Sequence, residues 1–140
     1  MRVRQVDGRF LIRLEAEEEA IAALRSWAAA YEVAFAVLWA IGTMRRAILG
    51  YWEPTTRTYR QISVEEQVEV VSMIGNVARD GEGTPIVHAH GVLSRSDGST
   101  VGGHLMEGVV FPMLEVVARV FPERIHRRAD PTTHLMIWDF

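Results

Sequence analysis

Three of the five histidines in this 140-residue chain, His88, His90 and His104, fall within the stretch "PIVHAHGVLSRSDGSTVGGHL". Residues two apart on a strand project to one face, so His88 and His90 point one way while Val87 and Ala89 point the other. If Ser96, Asp97 and Gly98 close a three-residue hairpin, His104 stands directly opposite His90, where cross-strand Cβ atoms are about 4.5–5.5 Å apart. A two-residue loop would instead turn His104 to the opposite face, unless Gly102 and Gly103 bulge the strand and turn it back. Three converging imidazoles suit a divalent metal: zinc takes nitrogen ligands at about 2.0–2.1 Å and keeps an open position in a three-histidine site. A single histidine in an apolar strand is more often a hydrogen-bonded core residue. The case for a metal rests on the constellation.

The remaining inventory directs attention to the same place. The sequence has no cysteine, which excludes a disulfide framework, a thiolate-zinc site and a cysteine nucleophile. All 15 basic residues are arginines, so covalent amine catalysis is excluded as well. Acid–base or metal chemistry is left to His, Asp, Glu, Tyr, Ser and Thr, of which His titrates near neutral pH. Glu69 and Glu107 are candidate outer partners of the metal ligands, or bases; the plainer reading of each is an exposed carboxylate, at a strand edge and a strand end respectively. His126, in the polar "RIHRRAD" segment, and His134, at the start of a strand, read as structural. "RIHRRAD" itself reads as a solvated surface turn rather than a phosphate-binding patch.

The elements that must position these residues follow from periodicity. "EAEEEAIAALRSWAAAYE" places Ala20, Ile21, Leu24, Trp27, Ala28 and Tyr31 at helical spacing, with acids gathered at the N-terminal end. "RFLIRLE" alternates as a half-buried strand does. Further strands are expected at "VAFAVLWAI", "RRAILGYWE", "RTYRQISV", "QVEVVSMIGNVA", "PIVHAHGVLS", "STVGGHL", "PMLEVVARVF" and "THLMIWDF", set apart by turn signals such as "EPTT", "RDGEGTP" and "SDGS". The expected class is α+β: one domain over 1–140, a mostly antiparallel sheet with one main amphipathic helix packed on it. No apolar run is long enough to span a bilayer, and the N-terminus lacks the pattern of a secretory or transit signal, so a cytoplasmic protein is expected. A formal net charge of −3 with scattered arginines provides no electrostatic footprint for nucleic acid.

"HAHGVLSRSDGSTVGGHLMEG" followed by "LEVVARVF" resembles the signature of the PPC domain, shared by plants and prokaryotes. The likeness extends to "RFLIRLEAEEEAIAALRSWAAAYEV", "GTMRRAILGYWEPTTRTYRQI" and "VEVVSMIGNVARDG", and so covers nearly the whole chain. The combination of H-x-H, a D-G turn and G-G-H-L at these spacings is specific, whereas any one of them alone is weak. The resemblance implies an antiparallel sheet with a flanking helix, a homotrimer, and, as in prokaryotic members, a histidine cluster suited to metal, here His88, His90 and His104. Plant relatives carry AT-hook segments that bind the DNA minor groove and use the domain for protein–protein contact. No arginine-flanked G-R-P core occurs in this sequence. The stand-alone prokaryotic form is therefore implied, without direct nucleic-acid contact.

Two classes of function follow. In the first, a divalent metal, zinc foremost, sits in a site that also takes a small molecule and polarises an oxygen or activates water. In the second, the domain is a structural or interaction module, or a DNA-associated regulator like the plant relatives, and the histidines brace the trimer. Trp39, Trp52 and Met113 are expected in the subunit contacts. The residues name no substrate and leave enzyme status open.

Overall fold

The computed structural model describes residues 1–140. The elements run β1 (Arg2–Val6), β2 (Arg9–Glu15), α1 (Ala20–Ala30), β3 (Phe35–Glu53), β4 (Thr58–Val64), β5 (Val68–Arg79), β6 (Pro85–Ser94), β7 (Thr100–Phe121), β8 (His126–Ala129) and β9 (Met136–Asp139). The sheet dominates and the single helix has 11 residues, so the expected α+β class holds only with that weighting. All strand pairs are antiparallel except a one-residue parallel link, Arg79 to His126, between β5 and β8. No helix is long and apolar enough to cross a membrane.

Two long strands organise the sheet. The segments 33–41 and 45–53, expected as separate strands, form one 19-residue strand, and 99–105 and 112–121 join into one of 22 residues. The chain continues where a turn seemed due because bulges absorb the irregularity: the β3–β7 register shifts between Gly42 and Met44, Met44 and Arg46, and Ile48 and Leu49. Pro112, which has no N–H to donate, falls in the interval of β7 that β3 leaves unpaired. Because β3 and β6 each pair with both β5 and β7, these four strands close into a ring. Inside it pack Leu38, Leu49, Met73, Ala89, Leu93 and Leu105, members of a single buried apolar cluster.

The helix begins later than its acidic run suggests. Glu19 has extended backbone angles and its carboxylate accepts from the amides of Ile21 and Ala22, capping the helix, and from that of Gly108, fastening it to β7. The acids at 15 to 19 thus precede the first turn. Leu24, Trp27 and Ala28 are fully buried on the helix face, with Trp27 edge-on to Phe10 of β2 at 5.3 Å.

Candidate metal centre

The β6–β7 hairpin delivers the histidines. Two backbone bonds close it, the Arg95 amide to the Ser99 carbonyl at 2.8 Å and, within the turn, the Gly98 amide to the Arg95 carbonyl at 2.9 Å. Ser96, Asp97 and Gly98 form the three-residue loop. Gly98 adopts φ +81°, a left-handed conformation that a side chain disfavours. The register that follows is His90 opposite His104, continuing without a bulge to Ser94 opposite Thr100. Along β6, Ala89, Gly91 and Leu93 are buried while His90 and Val92 are exposed, so the histidines occupy the outer face of the ring.

The three rings form a nearly equilateral cluster, with centroid separations of 5.2 Å for His88–His90, 5.1 Å for His88–His104 and 5.3 Å for His90–His104. One ring nitrogen of each lies within 4.8 Å of the others. The His88 and His90 Nε2 atoms are 3.3 Å apart, close to the roughly 3.4 Å that separates two nitrogens on a tetrahedral zinc ion. The Nδ1 of His104 is buried and has no hydrogen-bond partner. Three imidazoles with ring nitrogens this close can converge on one small cation, so the donor set fits the ion; the widest separation requires a small ring movement.

The electrostatics favour the neutral form of His88 and His104. Burial, then the Arg127 guanidinium and the other two histidines, lowers the His88 pKa to about 4. Burial, with smaller effects from His90 and Arg127, lowers that of His104. Neutral imidazole is the ligating form.

The groups that adjoin the cluster are not those expected. Glu107 lies within β7 rather than at a strand end, and its carboxylate pairs with Arg46 at 3.3 Å; Glu69 stands at the beginning of β5, opposite Ser94, whereas His90 is opposite Ile74. Neither carboxylate hydrogen-bonds a histidine of the triad. Each is directed elsewhere by its strand register. Instead, Arg127 Nη2 is 3.2 Å from His88 Nδ1 and donates to Asn76 Oδ1 at 2.8 Å, and Tyr59 of β4 stacks on His104 at 4.9 Å.

"RIHRRAD" is therefore not a solvated turn. Residues 126–129 form β8, paired with β9, and Arg127 is only 6% exposed. A four-residue strand is too short for its alternation to be read from sequence. His126 makes a hydrogen bond from Nδ1 to the Asp80 carbonyl at 3.2 Å, and His134 occupies a turn at φ +62° before β9 rather than a strand start.

Comparison with known proteins places this arrangement. The model of the Plants and Prokaryotes Conserved (PCC) domain matches residues 1–122. No curated protein sequence matches the chain. Among solved structures, a plant- and prokaryote-conserved (PPC) protein from Pyrococcus horikoshii is 28% identical, with a TM-score of 0.87 over 99% of this chain and 94% of its own. A structure named a metal-containing protein, from Archaeoglobus fulgidus, is 29% identical, with a TM-score of 0.87 over 97% of this chain and 96% of that one. A third, named a "putative DNA-binding protein", from Bacteroides thetaiotaomicron, is 24% identical, with a TM-score of 0.94 over 99% and 96%. At that identity the likeness carries the fold alone.

Proposed function

The chain belongs to the Plants and Prokaryotes Conserved (PCC) domain family, and on that premise we propose that it is a metal-binding protein in which His88, His90 and His104 hold one divalent ion. Zinc is the proposed ion, because imidazole-only ligation suits it. The observation that carries the reading is the convergence of the three rings, with ligand nitrogens within 4.8 Å and the His104 Nδ1 left unpartnered. The name of the Archaeoglobus structure as metal-containing supports it. When bound, such an ion supplies Lewis acidity to an oxygen at its open position. The residues of this chain contribute three imidazoles and a tyrosine ring that packs on His104. Elemental analysis of the purified protein, with His90→Ala beside it, tests this: one ion per chain is expected in the parent, and absence of uptake at neutral pH overturns it.

The same reading includes a homotrimer. Leu11, Val117, Trp39 and Ile74 face one another across β2, β7, β3 and β5, every one of them at least 39% exposed, and the row ends at His90. A contiguous apolar stripe on an outer sheet face supports burial against another copy of the chain. Trp39 lies in this stripe; Trp52 packs edge-on to Tyr59 at 5.3 Å, and Met113 is half-buried opposite Glu15. Direct DNA binding is not part of the proposal, since counterion release needs clustered cations and the net charge is −3. A salt-dependent mobility shift at submicromolar protein would reverse that.

A further inference from the structure

Arg127 is a buried cation without a counter-ion. Its Nη1 donates to the Met136 carbonyl and its Nη2 to Asn76 Oδ1, its guanidinium carbon is 5.8 Å from the centre of the Trp138 ring, and Nη2 meets His88 Nδ1: all neutral groups. It takes part in none of the molecule's eight ion pairs. Its Nε is buried and has no partner at all. A desolvated guanidinium normally has a carboxylate or phosphate beside it, because an uncompensated buried charge is costly.

The space beside it could receive that missing group. Arg127 lines a cleft of about 590 Å³ between the β6–β7 face and the β8–β9 hairpin, a size common among small-molecule sites. Its walls are apolar at Ile86, Leu135, Ile137 and Trp138, His88 and His104 border it, and no Asp or Glu lines it. A divalent ion on three neutral imidazoles would add further uncompensated positive charge at that edge. Both β8 and β9 lie beyond residues 1–122, the part that matches the family model, so this wall belongs to the remainder of the chain.

We propose that this cleft binds a small organic anion, its carboxylate or phosphate drawn to Arg127 and its apolar body lying against Ile86, Ile137 and Trp138. A planar guanidinium is suited to either acidic group, and the apolar walls select against a bare inorganic ion. The site adjoins the metal centre but stands on Arg127, so the two readings fail separately.

Calorimetric titration of the full chain, metal-free and zinc-loaded, tests the proposal with benzoate, phenyl phosphate, inorganic phosphate and the neutral benzamide. One benzoate or phenyl phosphate per chain is expected, with benzamide and inorganic phosphate each at least tenfold weaker. Arg127→Gln, with its fold checked by circular dichroism, should lose at least tenfold in affinity for the bound anion, and Ile137→Asp, which puts a carboxylate in the cleft, should lose as much. Benzamide or inorganic phosphate binding as tightly as its counterpart overturns the proposal. So does an absence of anion binding in both protein forms, or undiminished affinity in a folded Arg127→Gln. If Arg127→Gln fails to fold, Ile137→Asp and the benzoate–benzamide comparison decide. Anion binding without zinc uptake removes the metal reading and leaves this one; zinc uptake without anion binding does the reverse.

Discussion

His90 and His104 stand directly opposite each other across the antiparallel β6–β7 ladder, with ring centroids 5.3 Å apart. That pairing depends on a loop of three residues closed by Gly98, and it brings the second strand's imidazole to the pair that H-x-H already presents on the first. Removing one ring should therefore empty the site without unmaking the sheet. His90→Ala is expected to lower zinc affinity roughly a hundredfold or more, while the melting temperature of the metal-free protein changes little, since His90 is exposed. Metal content by mass spectrometry and a thermal melt read the two effects independently.

Stability of the metal-free protein should decline with acid. The folded state holds the His88 pKa at about 4, below the ordinary histidine value of 6.5, so the unfolded chain binds a proton that the folded one refuses. The contribution is complete above about pH 6.5 and is lost as pH falls toward 4, an effect of about 1–2 kcal/mol once solvent screening of a half-buried ring is allowed for. Urea midpoints measured at pH 7.5 and pH 5 should differ in that sense for the parent, and the difference should shrink in His88→Gln.

Gly75 lies between the partners of His88 and His90 on β5, opposite Ala89. A Cβ there would come within 2.4 Å of the His88 carbonyl oxygen and 2.9 Å of Ala89. Backbone must shift to admit it. Gly75→Ala is expected to cost about 2–3 kcal/mol and to weaken zinc binding as well, because β6 carries two of the three rings. Equal zinc affinity in parent and variant would show that the site does not depend on this close approach.

Trp39 is 45% exposed in the apolar stripe between Val117 and Ile74. Light scattering should return three times the chain mass for the parent, and Trp39→Glu should shift the population toward monomer at micromolar concentration, since a carboxylate buried against a second copy is costly. A parent that stays monomeric removes the homotrimer.

Much of the hairpin was legible because its determinants are local. Strand alternation put His88 and His90 on one face, the Ser-Asp-Gly loop set the register to His104, and "RFLIRLE" and "PIVHAHGVLS" have the bounds of β2 and β6. The missed elements had short or interrupted patterns. β1 and β8 were not anticipated, and β3 and β7 were each read as two strands, since bulges break the two-residue period that marks a continuous strand.

By itself, then, the sequence determined the chemistry on offer: imidazoles in a chain without thiols or amines, two of them on one strand face and a third brought opposite when the turn takes three residues. Tertiary structure alone decided what surrounds them. Glu69 and Glu107 were the outer partners suggested by sequence proximity, yet Glu69 stands opposite Ser94 and Glu107 pairs with Arg46, while Arg127, 39 residues from His88, and Tyr59, on β4, arrive through pairing between distant strands. A turn's backbone preference acts over a few residues and can be read from them. Which guanidinium loses its water beside an imidazole depends on how long, bent strands close into a ring, a property of the whole sheet that no local spacing records.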